Sequence, residues 1–142
     1  MSFTLYDRAV SDILTQSRVI AVVGHSDKPH RISYQIAQFL KTVGYQVYAV
    51  NPTVTEIDHQ PCYPSLKAIP EPIDIVNVFR RSQFLPEIVA EAIAVNAKTL
   101  WTQLGIIHAT AAETANKAGL NILMNRCIKI EYNRLNLQSH DC

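Results

Sequence analysis

Apolar positions follow two rhythms along this chain. In some stretches they recur every three or four residues, and in others they run unbroken. The clearest unbroken run is Val19-Ile20-Ala21-Val22-Val23, five apolar residues with no polar alternation. A strand of that kind is buried on both faces, as in the middle of a parallel sheet. Gly24 ends it, and Ser26, Lys28, Arg31 and Ser33 follow before a helical pattern begins. Strand, glycine, basic polar loop and helix together turn backbone N–H groups and a helix N-terminus toward a phosphate. The stretch also reads as an ordinary strand-to-helix turn with solvated charges. Taken alone, it favours neither reading.

The remaining pattern predicts alternating elements. Leu5, Ala9, Val10, Ile13 and Leu14 make a helical stripe over Thr4–Gln16, with Thr4 and Asp7 placed to cap its start. Ile36, Ala37, Phe39, Leu40 and Val43 predict a helix over Ile32–Val43, closed by Gly44 with Tyr45 behind it. A second strand, Gln46–Asn51, stops at Pro52. Thr53–Pro72 reads as a proline-rich loop with one helical turn at Ser65–Ala68. The third strand, Ile73–Phe79, runs into Arg80-Arg81. Pro86 then suits the first turn of a helix carrying Ile88, Val89, Ala92, Ile93 and Val95. The fourth strand is Thr99–Gly105. Thr110 and Glu113 predict a capping box for a helix that stops at Gly119. Asn121–Asn125 is a fifth strand, Arg126–Leu137 a last helix, and Gln138–Cys142 a frayed tail.

Strands alternating with helices predict the α/β class: a three-layer Rossmann-like domain with a five-stranded parallel sheet in the order 3-2-1-4-5. At 142 residues the chain is one domain, with its core from about residue 13 to 135. A net charge of +1 gives no broad basic field, so neither nucleic acid nor a membrane surface is an expected partner. The apolar runs fall well short of the ~20 residues that cross a bilayer. Met1–Asp7 has no basic segment followed by an apolar one, and a cytoplasmic location is expected. Cys62, Cys127 and Cys142 have neither disulfide-framework nor metal-ligand spacing, so free thiols and no metal are expected.

In such a sheet, ligands bind beyond the carboxyl ends of the strands, where the strand order reverses. Gathered there are Gly24-His25-Ser26, Asn51-Pro52, Phe79-Arg80-Arg81, Gln103-Leu104-Gly105 and Asn125-Arg126. This edge is rich in cations and hydrogen-bonding side chains and poor in acids, which suits a polyanionic, partly apolar ligand. The three-glycine dinucleotide fingerprint is absent. Asn51 stands where an acid would grip a ribose diol, so NAD is disfavoured. NADP stays as a weaker alternative, through Lys28 or Arg31. No Walker loop occurs. The acids a phospho-receiver needs after strands one and three are replaced by Gly24-His25 and Arg80-Arg81.

The stretches Val22-Val23-Gly24 with Ser26, Lys28-Pro29 and Arg31, Val50-Asn51-Pro52, Cys62-Tyr63-Pro64-Ser65-Leu66, Ile73 to Arg81, Trp101 to Ile106 and Arg126 to Glu131 resemble the small stand-alone CoA-binding proteins. That family is similar to the CoA-binding domain of the succinyl-CoA synthetase α subunit. The resemblance implies a Rossmann-like fold that binds coenzyme A. Gly24, Ser26, Lys28, Arg31 and Ser33 would face the phosphates and adenosine, and Asn51 and Pro52 the adenine. Val78, Phe79, Arg80 and Arg81 would lie along the pyrophosphate or pantetheine. Gln103, Leu104, Gly105 and Ile106 would form the inner wall, with Arg126 beyond. His25 departs from the small or apolar residue expected there, and either crowds the pocket or adds a donor. His108 is a second departure, read as structural.

No Ser-His-Asp set, HExxH or carboxylate pair stands out. Cys127 lies beside Arg126 and near Lys129, a setting that can lower a thiol pKa, but a packing role is preferred. The expected function is non-catalytic binding of CoA or an acyl-CoA. The alternative is a small enzyme, or a component of one, acting on a CoA thioester or with NADP, with catalytic groups from a partner. A homodimer or a partner enzyme both remain open.

Overall fold

Strand β1 (Val19–Val23) is buried at every position and has a parallel neighbour on each side. The computed structural model describes residues 4–137. The other strands are β2 (Gln46–Val50), β3 (Glu56–Ile57), β4 (Gln60–Tyr63), β5 (Ile75–Val78), β6 (Thr99–Thr102) and β7 (Asn121–Leu123), in the order β3-β4-β2-β1-β5-β6-β7. All pairs are parallel except β3 with β4.

The α/β Rossmann-like class therefore holds, while the five-stranded, all-parallel sheet in the order 3-2-1-4-5 is corrected. The third expected strand, β5, lies against β1 rather than outside β2. Two contacts explain this. All four β5 positions are buried, whereas β2 is half-exposed along most of its length, as suits a strand nearer the edge. Asp74, just before β5, also accepts hydrogen bonds from the N–H groups of Arg18 (2.8 Å) and Val19 (2.9 Å), which locks the start of β5 to the start of β1. The place beside β2 is taken by β4, from the stretch expected to be loop. Asp58 and His59 join β3 to β4 with φ of 51° and 65°. A two-residue hairpin turn demands such left-handed backbone, yet Asp-His is not a pair that advertises it.

Helices α1 (Leu5–Gln16), α2 (Ile32–Thr42) and α5 (Ile128–Arg134) cover one face of the sheet. Helices α3 (Leu85–Ala94) and α4 (Ala109–Lys117), with the 3₁₀ turn Leu66–Ala68, cover the other. β1 serves both layers: Ile20 and Val22 pack with Leu14, Ile36, Leu40 and Trp101, while Ala21 and Val23 pack with Leu85, Val89 and Leu100. Each such large side chain contributes roughly 1.5–3 kcal/mol on burial.

The helix ends follow local chemistry. Thr4 and Asp7 form a reciprocal cap on α1. Gly44, at φ 105°, closes α2: Tyr45 N–H donates to the Leu40 carbonyl and Gly44 N–H to that of Lys41, both at 3.0 Å. The Thr110–Glu113 capping box is corrected. α4 starts earlier, so Thr110 already lies in its first turn. Instead, His108 Nδ1 accepts from Ala111 N–H at 3.0 Å, and Glu113 pairs with Lys117 at 3.0 Å. Cys62 and Cys127 are buried free thiols. Cys142 and the tail from Gln138 lie outside the described residues. Among the described residues, no helix is long and apolar enough to cross a membrane.

Candidate functional site

The order of the strands reverses at β1. β2 and β4 lie to one side of it, and β5, β6 and β7 to the other. The loop after β1 leads to α2 on one face, and the loop after β5 leads to α3 on the other. Their divergence opens a crevice at the carboxyl ends. The walls are pinned by backbone bonds: Gly24 N–H donates to Val50 O and Phe79 N–H to Val23 O, each at 2.8 Å.

From Gly24, at φ 88°, the loop folds on itself. Ser26 N–H donates to Ser33 Oγ and Lys28 N–H to Ser26 Oγ, both at 3.0 Å. Asn51 braces the same loop, with Nδ2 donating to His25 O at 3.0 Å and Oδ1 accepting from Thr53 N–H at 3.0 Å. The result is a cleft of about 380 Å³ bordered by Gly24, Ser26, Lys28, Arg31, Asn51 and Phe79. Helix α2 opens into it without a side-chain cap and without an acid in its first turn. Its N-terminal N–H groups and partial positive charge are thus left for an anion. Ser33 is buried and holds the loop, while Lys28 and Arg31 are exposed.

Across the Gly24–Phe79 seam is a smaller cavity of about 220 Å³, lined by Val23, Val50, Pro52, Pro64, Arg80 and Ile88. The Arg80 guanidinium lies 3.9 Å over the Phe84 ring centroid, which holds it along this wall. Glu87 and Glu91 also border the cavity, and Glu91 accepts from Leu66 N–H at 2.9 Å.

The crevice does not gather every residue expected there. Val78 is fully buried beneath it, and Arg81 is exposed at the start of the next turn. Leu104, Gly105 and Ile106 sit on the β6 side, where Gly105 N–H donates to Asn125 Oδ1 at 2.7 Å. Arg126 lies over the Tyr6 ring at 5.2 Å. His25 turns away from the cleft and is 1% exposed. Gln103 is buried just after β6, and among the described residues its Oε1 and the buried Asn77 Oδ1 have no partner. Burial pushes the Cys62 thiol pKa up, which favours its neutral form.

Sequence reasoning missed Asp27, Ile32, Thr53 and Val54 around the cleft, all neighbours of residues it named. It also missed Pro64, Glu87, Ile88 and Glu91, which tertiary packing brings in from distant stretches.

A doubly covered α/β sheet, with a switch-point crevice floored by a glycine and rimmed by lysine, arginine and an uncapped helix end, defines a Rossmann-like domain whose crevice has the chemistry to take an anion. Residues 18–133 match the model of the CoA binding domain family, and the chain belongs to that family. It is 39% identical over 123 residues to the uncharacterized protein YneT of Bacillus subtilis, covering 87% of this chain and 91% of that one. The structure of a hypothetical protein from Pyrococcus horikoshii superposes with a TM-score of 0.90 at 37% identity, covering 96% of this chain and 100% of that one. An ADP-forming acetate–CoA ligase of Archaeoglobus fulgidus is 36% identical over 74 residues, which is 52% of this chain and 11% of the ligase.

Proposed function

We propose that the chain binds coenzyme A, or an acyl-CoA, and carries out no chemistry on it alone. The observation that carries this reading is the basic switch-point cleft, set within a stretch that matches a CoA binding domain. The residues present suit the ligand. Gly24 lets a phosphate approach the backbone, and Ser26, Lys28, Arg31 and the first turn of α2 offer donors and positive charge. Asn51, Pro52, Phe79 and Arg80 border the space for the adenosine. Gln103 Oε1, buried and unpartnered among the described residues, is the acceptor we assign to an amide N–H of the pantetheine arm. The lining is mostly hydroxyls, cations, an amide and apolar walls, with Asp27 at the cleft and Glu87 and Glu91 at the adjoining cavity.

The likeness to a segment of an acetate–CoA ligase favours a second reading, in which another chain supplies catalytic groups to CoA held here. Stoichiometric co-purification of such a chain would support it.

Thermal unfolding with added ligand tests the binding reading. CoA at ~100 times its dissociation constant stabilises the folded state by about 2.7 kcal/mol. NAD and NADP should give smaller shifts, and equal or greater stabilisation by either would overturn the assignment. Native mass spectrometry of the freshly purified protein identifies any ligand that accompanies it.

A further inference from the structure

A larger cavity, of about 420 Å³, lies behind the cleft. Its origin is a break in the sheet. β4 pairs with β2 only at Ala49 and Val50, and Pro61, the next residue back along β4, has no N–H with which to continue the ladder. The β3–β4 hairpin therefore leaves the rest of β2 without a strand partner on that side. It is tied to α2 instead, where Tyr34 Oη and Gln38 Nε2 both donate to the Asp58 carboxylate. The space among the hairpin, β2 and α2 has apolar walls from Val47, Ala49, Ile57 and Pro61, with exposed Lys41 on one side. Among the described residues, no acid lines it.

Buried His25 also lines this cavity. Its Nδ1 is 2.8 Å from the carbonyl oxygen of Ser26. That oxygen can only accept, so Nδ1 carries the proton and Nε2 of the neutral ring is a bare lone pair. Burial lowers the pKa of the ring and keeps it neutral. Tyr34 packs edge-on at 5.9 Å and fixes the ring plane. Among the described residues, Nε2 has no hydrogen-bond partner. The residue as a whole is 1% exposed, and Nε2 is its open acceptor at the cavity wall, where a donor on a bound molecule can take the place of solvent.

We propose that this cavity is a second small-molecule site, for a carboxylic acid with an apolar, ring-sized body and an O–H or N–H donor at the end remote from the carboxylate. The donor meets His25 Nε2, the body packs on Val47, Ala49, Ile57 and Pro61, and the carboxylate faces Lys41. The site is distinct from the CoA cleft, and the inference stands independently of the CoA reading. The two are joined by the bond from Asn51 Nδ2 to the main-chain oxygen of His25.

The test is an NMR titration of the full-length labelled protein with 4-hydroxyphenylacetate, with phenylacetate and tyramine as comparators. The expected result is that 4-hydroxyphenylacetate moves the amide signals of Val47, Ala49 and Ile57 and the Nε2 resonance of His25. Phenylacetate, lacking the donor, should bind about fivefold more weakly. Tyramine, with its charge reversed, should also bind more weakly, and high salt should narrow that gap. His25→Phe keeps a ring of similar size and should abolish the preference for the hydroxyl. If that variant does not fold, the three-ligand series on the natural protein decides alone. Equal affinity for phenylacetate, shifts centred elsewhere, or no binding of 4-hydroxyphenylacetate at millimolar concentration would each overturn the proposal.

Discussion

A Cβ on Gly24 would stand 3.0 Å from Cγ of Arg80 and 3.3 Å from the carbonyl carbon of Phe79. Two loops that part at the switch point thus meet so closely that a side chain here fits only if a neighbour gives by a few tenths of an ångström. Gly24 also holds φ at 88°, where a side chain adds strain. Gly24→Ala should destabilise the fold by roughly 1–3 kcal/mol and push Arg80 off its wall. Urea unfolding measures the first effect and CoA titration the second. Wild-type values in both would mean that the crevice opens without cost.

Lys28 and Arg31 flank the loop whose N–H groups and adjoining helix end suit a phosphate. CoA and dephospho-CoA differ by the ribose 3′-phosphate alone. A charged hydrogen bond to it contributes roughly 1.5–3 kcal/mol, less where salt and exposure screen it. Lys28→Ala and Arg31→Ala should therefore each weaken CoA more than dephospho-CoA, and should flatten the salt dependence of CoA binding. Calorimetry with both ligands decides. Equal losses for the two would pass the role to Arg80, Arg81 or Arg126.

Gln103 Oε1 has no donor among the described residues. If a pantetheine amide supplies one, Gln103→Leu should weaken CoA by about tenfold, the loss of one well-made buried hydrogen bond. Binding of adenosine 3′,5′-bisphosphate, which has no pantetheine arm, should be unchanged. A parallel loss for both ligands would place Gln103 on the nucleotide side or in a purely structural role.

Asp74 ties β5 to β1. Burial pushes its carboxyl pKa up, but bonds from the Val19 and Arg18 N–H groups and the charge of Lys98 outweigh that and hold it below the ordinary value. Because the folded pKa is the lower one, the stabilisation is complete above the unfolded pKa of about 4 and is lost as pH falls from there through the folded value. Asp74→Ala should cost about 3 kcal/mol at neutral pH by stranding two N–H groups. Asp74→Asn should remove the acid-sensitive part, so the stability gap between wild type and Asn should shrink below pH ~4. A gap independent of pH would mean that the charge itself contributes nothing.

His108 is the N-cap of α4 through Nδ1. His108→Ala should cost about 1 kcal/mol, and His108→Asn, which keeps a capping acceptor, should restore most of it. Chemical denaturation of the three proteins gives the comparison. Equal stability of the alanine and asparagine variants would show that the ring acts by packing.

What the sequence determined by itself is local. The Thr4–Asp7 cap, the Gly44–Tyr45 ending of α2 and the glycine-to-basic loop after β1 rest on contacts between residues a few positions apart, the burial of β1 shows in five adjacent apolar residues, and the structure contains them all. What the tertiary structure decided is the company each strand keeps. The place of β5 depends on Asp74 reaching the N–H groups of Arg18 and Val19, far away in sequence. The hairpin depends on β2 offering an edge at Ala49 and Val50, because a two-residue strand such as β3 gains too little from its own side chains to be visible as a pattern. His25 sits among cleft residues in the sequence. Its ring goes to the opposite cavity because Tyr34 and the Ser26 carbonyl hold it there, and no periodicity encodes such a contact.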